Sequence, residues 1–431
     1  MPEKPTKIRW IVVALLLAIS TVTFIDRVNI SIAGKGLMSE YNIDSVTMGT
    51  IFSAFVLGYA LFQIPGGWLG DKYGPRRLLT FVVVWWSIFT VLTAFAGDWF
   101  LVPMIGIVGS FMTVRFLVGI GEAAAYPNFN RTVANWMAPT ERALGVGIAN
   151  AGLGVGAAIT PPLVAWIMVT YGWRTSFYIT GIIGIVVVAV WYWYVTDRPD
   201  QHRSVNVAEL AIIKGEEKSV PLAVPAASAG KISWRKILTS GQVWLIVSAY
   251  TLYGYIIYVY LSWFYLYLVN VKNFSILRGA VYSTLPFLAM AILAPTGGFI
   301  SDRMIKRFSR RIARRSVAIT GLVLCTLFIF FGARVADPIP AIIMLSLGAG
   351  FLYFTSGVFW SSCTDIAKAQ TGTVSGMMNM GANIGGTVSP IATPFIAKTY
   401  GWDAAIQVAA LCAIVAAALW LFINTEKKID V

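Results

Sequence analysis

The sequence predicts an all-α membrane protein built from two similar six-helix halves. Hydrophobic residues make up 58% of the chain and charged residues only 12%, about half the charged fraction of a typical soluble domain. The apolar residues fall in runs of about 20, the length at which an α-helix spans the core of a bilayer. Signals from the first half of the chain also recur, in the same order, in the second half. Such a duplicated membrane bundle is more typical of transporters than of any other class.

Twelve apolar runs are long enough to be transmembrane helices. They lie at 10–33, 47–68, 78–97, 101–122, 142–169, 174–196, 241–268, 279–300, 316–334, 338–362, 373–397 and 402–424. A polar stretch at 197–240, rich in mixed charges and then in Pro, Ala and Ser, separates the sixth run from the seventh. We therefore predict an N-terminal six-helix bundle at 1–196, a cytoplasmic linker at 197–240 with a short surface helix within 205–218, and a C-terminal six-helix bundle at 241–431.

Two internal repeats relate the halves. The motif GGWLGDK, which begins at Gly66, returns as GGFISDR at Gly297. A longer set of small residues and a proline also repeats: Gly147, Asn150, Gly152, Gly156 and Pro161 align with Gly376, Asn379, Gly381, Gly385 and Pro390. Tyr171-Gly172-Trp173 then aligns with Tyr400-Gly401-Trp402. The repeats indicate that the two bundles are pseudo-symmetric.

The positive charge is explained by membrane topology rather than by nucleic-acid binding. The net charge is +14, but most Lys and Arg residues lie on the side of the membrane that holds both termini. This bias predicts that both termini are cytoplasmic. The basic cluster at 303–315 is interpreted as a topology anchor beside anionic membrane lipid. No cleavable signal peptide is evident, since the first apolar run is long and carries Asp26 and Arg27. We expect a multi-pass protein of the cell inner (plasma) membrane if the chain is bacterial.

Metal and cofactor chemistry is not predicted. The three cysteines, Cys325, Cys363 and Cys412, lie in predicted spans at no metal-ligand spacing, and the single histidine, His202, lies in a loop. The intramembrane polar residues include no nucleophile–base pair, and no nucleotide-binding motif is present. A membrane enzyme is therefore disfavoured, and transport is expected to be secondary rather than ATP-driven.

The loop after the second predicted span identifies a family resemblance. Its sequence from Gly66 to Arg77, GGWLGDKYGPRR, is similar to the loop 2–3 signature of the major facilitator superfamily. Further segments resemble the anion:cation symporter family within it: Asp26-Arg27, Tyr59, Gln63-Ile64-Pro65, Arg115-Phe116-Leu117-Val118-Gly119, Gly121-Glu122-Ala123, Tyr126-Pro127, Asn135-Trp136 and Glu141-Arg142. That family includes bacterial sugar-acid/proton symporters and animal sialic acid and glutamate carriers, and the galactonate, glucarate and hexuronate carriers are the most similar. The resemblance implies the major facilitator fold.

Four ionisable residues lie within the predicted spans of the N-terminal half: Asp26, Arg27, Arg115 and Glu122. A charge at the bilayer centre costs about 2.5–3.5 kcal/mol on insertion scales, so each predicts a function or a partner. Arg115 and Glu122 share a helix face but are about 10.5 Å apart along the axis, so each is expected to pair with another helix, and Asp26 with Arg115 is the preferred pair. Asp26, Glu122 and Arg115 are the predicted proton-coupling residues. The alternative is a purely structural pairing that holds the helices in register.

The substrate-binding residues are predicted partly from the resemblance. Arg27 points away from the face of Asp26, and the resemblance implies that it holds a substrate carboxylate; a topology residue at the end of the span is the alternative. Tyr59 and Gln63 share one helix face and suit sugar hydroxyls, or else ordinary interhelical hydrogen bonds. In the second half, the resemblance implies Asn379 as a hydroxyl ligand and Trp360 as an aromatic surface for the sugar. Asn383 lies one turn beyond Asn379.

Conformational change is predicted from glycines, prolines and the repeated loop. The glycines of 145–156 and 372–386 allow close helix approach, and Pro161-Pro162 and Pro390 break or bend those helices. We interpret both segments as rocking elements, with packing alone as the alternative. Asp71 is expected to close the cytoplasmic side by accepting from a helix N-terminus or from Arg131. Arg76 is either a gating residue or a topology charge.

The sequence thus predicts a proton-coupled importer of a small organic anion, with a hexonate, hexarate or hexuronate preferred. Substrate and proton are expected to bind at the midplane between the halves, and the protein is expected to be monomeric, as the resemblance implies. The alternatives are a facilitator or exporter of another carboxylate such as an aromatic acid, a sodium-coupled carrier, and a sensor that binds its ligand without moving it.

Overall fold

The computed structural model describes residues 4–138, 141–214, 234–367 and 371–427, so residues 215–233 of the predicted linker lie outside the described residues. The helices that precede the linker are α1 (Ile8–Tyr41), α2 (Ser45–Tyr73), α3 (Pro75–Thr93), α4 (Val102–Ala123), α5 (Ala125–Trp136), α6 (Arg142–Tyr171), α7 (Trp173–Tyr194) and α8 (Val207–Lys214). The helices that follow it are α9 (Trp234–Leu238), α10 (Gly241–Asn270), α11 (Ile276–Tyr282), α12 (Leu285–Ile305), α13 (Arg310–Arg334), α14 (Pro338–Phe354), α15 (Ser356–Ala367), α16 (Thr371–Tyr400) and α17 (Trp402–Trp420).

Eleven helical segments of the described chain are long and apolar enough to cross a membrane. Three of them join neighbouring helices, so that α4 with α5, α11 with α12 and α14 with α15 each form one candidate span. The predicted span at 373–397 lies within α16, which is 30 residues long but is not one of the eleven. Its apolar residues are interrupted by Gly, Asn, Ser and Thr, which lowers the hydropathy of the helix below that of its neighbours.

The chain divides into two compact units. Unit 1 comprises residues 1–43 and 54–220, and unit 2 comprises residues 44–53 and 221–431. Within unit 1, α1 packs on α6 and α7, and α3 packs on α4 and α7. Within unit 2, α10 packs on α16 and α17, and α13 packs on α14 and α17. The helices that correspond through the sequence repeats therefore make corresponding contacts.

The repeated glycines bring a helix onto its neighbour in each unit. A Cβ atom at Gly152 or Gly156 of α6 would lie 2.5 Å from a backbone carbonyl oxygen of α1. At the aligned Gly381 and Gly385 of α16, a Cβ atom would likewise crowd backbone carbonyl oxygens of α10. Only hydrogen fits in such contacts, so the predicted close approach of these helices is confirmed.

We expect Gly156→Ala to destabilise unit 1. Its new methyl group would meet the Thr21 carbonyl oxygen at 2.5 Å and the Phe24 Cβ at 2.7 Å, and such overpacking costs about 1–3 kcal/mol. Gly147→Ala is the matched control on the same helix, because a Cβ there meets no atom within 4 Å. Thermal unfolding of the purified protein should show a lower midpoint for Gly156→Ala only. Equal midpoints for the two variants would contradict the close contact.

The repeated Tyr-Gly-Trp sequence forms the same turn twice. Gly172 and Gly401 precede α7 and α17 with φ angles of 86° and 87°, values that favour glycine because it lacks a Cβ. The prolines that were predicted to break or bend these helices do not break them. Helix α6 continues through Pro161 and Pro162, and α16 continues through Pro390.

Candidate functional site

Four charged residues meet in the interior of unit 1. Helix α1 carries Asp26 and Arg27, and α4 carries Arg115 and Glu122. Asp26 and Glu122 are fully buried, and Arg115 is 1% exposed. Most other residues of both helices are hydrophobic, so these side chains are positioned by long helices that hydrophobic packing stabilises. We call these four residues the charge cluster.

Arg27 and Glu122 form the ion pair of the charge cluster. The Arg27 Nε donates to Glu122 Oε2 at 2.6 Å. The Arg27 side chain keeps 12% of its surface exposed, whereas that of Glu122 has none. Hydrogen bonds between charged partners are short and about twice as strong as neutral ones. Glu122 is therefore held by a guanidinium that still reaches the surface of the unit.

Three aromatic rings surround the Arg27 guanidinium. Its Cζ lies 4.4 Å from the ring centroid of Tyr59, 5.4 Å from that of Phe55 and 5.1 Å from that of Phe24. Rings at these distances attract the cation through their quadrupoles and fix its orientation. Tyr59, which was predicted to bind substrate hydroxyls, therefore lies beside Arg27.

The predicted ion pair between Asp26 and Arg115 does not form. Neither carboxylate oxygen of Asp26 accepts a hydrogen bond, and the Nε and Nη1 atoms of Arg115 donate none. Arg115 instead lies over the Phe55 ring, with its Cζ 4.9 Å from the centroid. Asp26 faces Trp86 of α3 and Thr180 of α7, although neither contact has the geometry of a hydrogen bond. The charges of Asp26, Arg115 and Glu122 still act on one another across this interior.

Sequence reasoning missed Tyr126 as a site residue. The Tyr126 hydroxyl lies 3.1 Å from the Ser20 hydroxyl, and its charge environment includes Arg27, Tyr59 and Glu122. Its position four residues after Glu122 was the available signal, because residues at that spacing share a helix face. Phe55 was also missed. The same kind of signal was available for it, because it lies four residues before Tyr59. Gln63 follows Tyr59 on α2 and is half-buried.

The predicted residues of unit 2 lie on α15 and α16. The Trp360 Nε1 donates to the Tyr250 hydroxyl at 3.2 Å, and Trp360 is 44% exposed. Tyr250 stacks on Tyr253 with ring centroids 4.7 Å apart, so the indole extends from a rigid aromatic layer. Asn383 is buried, and its Nδ2 donates to the Asn379 carbonyl oxygen at 3.1 Å. The Asn383 amide is thereby tied to its own helix.

The predicted gating residues are described only in part. The Asp71 side chain lies outside the described part of the structure, and Arg131 is half-buried on α5. The backbone N–H of Arg76 donates to the Asp197 carboxylate at 2.9 Å, and Arg76 Nη2 donates to the Tyr192 carbonyl oxygen at 2.6 Å. Arg76 thus joins the start of α3 to the end of α7. Across the described residues, no group of three or more His, Cys, Asp or Glu side chains is arranged to hold a metal ion.

Comparison with known proteins identifies the family. A family model described as the Major Facilitator Superfamily matches residues 16–360 and 304–430. A probable sulfoacetate transporter of Cupriavidus necator is 34% identical over 98% of this chain and 96% of its own. A hexuronate transporter of Bacillus subtilis is 31% identical over 90% of this chain and 88% of its own. A probable galactarate/D-glucarate transporter of Escherichia coli is 31% identical over 93% of this chain and 89% of its own.

Solved structures share the fold at low sequence identity. An inward-facing, unoccupied bacterial homologue of the human lysosomal transporter Spinster has a TM-score of 0.80 and 19% identity, with 97% of this chain and 98% of that chain covered. The inward-open xylose transporter of Escherichia coli has a TM-score of 0.73 and 15% identity, with 96% of each chain covered. The protein is therefore a multi-pass integral membrane protein of a transporter family and not an enzyme. The chain belongs to the major facilitator superfamily, among its anion transporters of the sugar-acid type.

Proposed function

We propose that the protein imports a small organic anion together with protons, and that the anion is a hexonate, hexarate or hexuronate. The observation that supports this proposal is the partly exposed Arg27 guanidinium, which is held between buried Glu122 and three aromatic rings. A guanidinium binds a carboxylate through two parallel hydrogen bonds, and it remains charged inside a protein. The relatives that transport hexuronate and galactarate or glucarate carry substrates with the same chemistry.

The coupling proposal follows from competition for Arg27. The carboxylate of Glu122 accepts from the Arg27 Nε at 2.6 Å. A substrate carboxylate that takes this donor leaves Glu122 buried and unpaired, which is strongly unfavourable for a charged group. Protonation of Glu122 removes that cost and frees Arg27 for the substrate. Anion and proton therefore favour each other's binding. Asp26 provides a second buried carboxyl group and Arg115 a second cation.

The remaining site residues have proposed supporting roles. Tyr59, Gln63, Asn379 and Asn383 supply polar groups for sugar hydroxyls, and the exposed Trp360 indole supplies an apolar surface for the carbon chain. Asp71, Arg76 and Arg131 close the cytoplasmic side in one conformation. We further propose that α16 is the twelfth span and that the two six-helix bundles are 1–196 and 241–431. Both termini are proposed to be cytoplasmic, because most of the basic loop residues lie on their side of the membrane. The protein is proposed to act as a monomer.

Glu122→Gln tests the coupling. The variant keeps the shape of the side chain but cannot take up or release a proton, so substrate exchange should persist while proton-driven accumulation is lost. Proteoliposomes would be assayed with radiolabelled D-galactonate, D-glucuronate and D-glucarate, with and without an inward proton gradient at fixed sodium. Glu426→Gln, on an exposed carboxylate, is the matched control and should accumulate substrate like the parent protein.

The outcomes of this assay separate the alternatives. Undiminished accumulation by Glu122→Gln would exclude the coupling role of that residue. Equilibration of substrate by the parent protein without a gradient would instead indicate a facilitator. An aromatic carboxylate is the second candidate substrate, because unit 2 presents a cluster of rings at Tyr250, Tyr253, Phe359 and Trp360. Binding without flux would favour a sensor, and dependence on sodium rather than pH would favour sodium coupling.

A further inference from the structure

A chain of polar side chains runs through the interior of unit 1 from Asp26 to one end of the bundle. Thr180 of α7 faces the Asp26 carboxylate. The Asn29 Nδ2 donates to the Thr180 hydroxyl at 3.1 Å, and the Ser176 hydroxyl donates to the Asn29 Oδ1 at 2.8 Å. The same hydroxyl lies 2.7 Å from the backbone carbonyl of Trp173, so its single proton is shared between these two acceptors. Asn29, Ser176 and Thr180 are all fully buried.

The chain ends at a carboxylate that reaches solvent. The Trp173 Nε1 donates to Glu40 Oε2 at 2.8 Å, and Arg174 pairs with Glu40 Oε1 at 2.6 Å. The Glu40 side chain is 40% exposed. Neighbouring residues in the order Glu40, Trp173, Ser176, Asn29, Thr180 and Asp26 therefore connect a solvated surface to the buried carboxyl group. This connection lies on the face of α1 away from the Arg27–Glu122 pair.

Further polar groups on α3 and α4 are buried in unit 1 without a protein partner among the described residues. The hydroxyls of Ser87, Thr90 and Ser110 and the indole N–H of Trp86 form no hydrogen bond with any described residue. All four side chains are fully buried. The hydroxyl of Ser87 is directed at Gly184 of α7, where a Cβ atom would collide with it. Buried polar groups of this kind are normally satisfied by internal water, because each costs about 1–3 kcal/mol when left unpaired.

Two charged groups of α4 act on Asp26, and Arg27 is its neighbour on α1. Arg115 and Glu122 interact with Asp26 through their charges, whereas α3 and α7 present Trp86 and Thr180 to it. Helix α6 packs on α1 through glycines and presents no charged side chain at this level. The interior between α1, α3 and α7 is thus polar but uncharged, which suits water molecules and disfavours an anionic substrate.

We infer that this interior is a proton route to Asp26 that is separate from the anion site at Arg27. Water held by Ser87, Thr90, Asn29 and Thr180 would carry the proton inward from the end marked by Glu40. In the last step, an O–H bond of a hydronium ion breaks and an O–H bond forms on the Asp26 carboxylate, leaving a neutral acid and a water molecule. The inference rests on the proposed function, in which Asp26 is a coupling carboxyl group.

Thr180→Val tests the route, because valine keeps the shape of threonine but has no hydroxyl. We expect initial proton-driven uptake to fall about tenfold, the effect of the lost hydrogen bond between Asn29 and Thr180. The pH profile of uptake should shift toward lower pH, because more protons are then needed to load Asp26 at the same rate. Substrate exchange at equal pH on both sides should change less than about twofold, within the usual variation of a substitution away from the anion site. Thr180→Ser should restore uptake, since it keeps the hydroxyl. Thr175→Val is the matched control on α7, because the Thr175 hydroxyl donates to the Tyr171 carbonyl at the end of α6 and to none of the residues of the proposed route.

Ser87→Ala combined with Thr90→Val provides an independent test on α3 and should give the same selective loss. Two failures can be told apart. If the parent protein shows no response to a proton gradient, the proposed function fails. The second failure requires that the parent protein is proton-driven and that Asp26→Asn abolishes accumulation. If Thr180→Val and the α3 double variant then keep the parent pH profile, protons reach Asp26 by another path and the inference is overturned. Equal loss of exchange and accumulation in Thr180→Val, without rescue by serine, would also overturn it.

Discussion

Arg27→Gln is expected to abolish substrate binding and to destabilise unit 1 at the same time. The substitution removes the donor that a substrate carboxylate would use, and two lost charged hydrogen bonds correspond to a loss of affinity of about 100-fold or more. It also leaves Glu122 fully buried without the partner that now lies 2.6 Å away. Removing one member of a buried pair costs about 3–5 kcal/mol. Uptake assays and thermal unfolding of the purified variant would measure the two effects separately.

A second substitution separates the two roles of Arg27. In the double variant Arg27→Gln with Glu122→Gln, neither side chain of this ion pair carries a charge that has lost its partner, so thermal stability should return toward that of the parent protein. Transport should not return, because the guanidinium is still absent. Arg27→Lys keeps the charge but offers a point donor instead of a planar fork, and we expect intermediate affinity. A double variant that regains uptake would show that Arg27 only neutralises Glu122 and does not bind substrate.

The helices and the buried charges could be predicted from sequence because each depends on local information. Runs of about 20 apolar residues specify membrane helices, and an ionisable residue within such a run is conspicuous wherever it pairs. The repeated glycines were equally informative, because a missing side chain implies close approach before the neighbour is known. Gly156 and Gly385 make comparable contacts with α1 and α10.

The partner of each charge could not be predicted in the same way. Helical spacing gives the face on which Asp26 or Arg27 lies, but it does not specify which residue of a neighbouring helix stands opposite. The sequence favoured Asp26 with Arg115, whereas the structure pairs Arg27 with Glu122. A rotation of one helix by a fraction of a turn decides between these arrangements, and that rotation is set by packing along the whole helix. Aromatic contacts of Arg115 with Phe55 and of Arg27 with Tyr59 contribute to that choice.

The short helix α8 shows the same limit over a longer distance. A helix within 205–218 was predicted at the surface, and α8 is present at Val207–Lys214. Its Glu209 is nevertheless fully buried and binds residues near the chain start, about 200 positions away in sequence. No local pattern distinguishes such a carboxylate from an ordinary surface residue. The first turn of α1 contains no acidic residue, and the side chain at its N-cap makes no hydrogen bond to the helix. The lack of a local acidic residue was the one available sign that a distant carboxylate caps this helix.

Glu209→Ala is expected to be the most destabilising substitution outside the charge cluster. The Glu209 carboxylate accepts from the backbone N–H groups of Ile8 and Arg9, each at 3.1 Å, and from the hydroxyl of Thr6. It therefore caps the N-terminus of α1, where a negative charge also interacts favourably with the helix dipole. Arg9 Nη1 donates to the same carboxylate at 3.1 Å, and Arg9 further pairs with Glu141. Alanine removes four acceptor contacts and leaves Arg9 with one partner.

The expected cost is about 3–5 kcal/mol, the range for breaking a buried ion pair, and thermal unfolding should show a clearly lower midpoint. Glu209→Gln keeps an acceptor oxygen for the backbone but not the charge, so its midpoint should lie between those of Glu209→Ala and the parent protein. Glu426→Ala is the matched control, since that carboxylate is exposed and accepts one bond of 3.5 Å. If Glu209→Ala unfolds at the midpoint of this control, the contact of α8 with the start of α1 does not stabilise unit 1. The chain between α7 and the second unit then contributes no stability to unit 1 through this carboxylate.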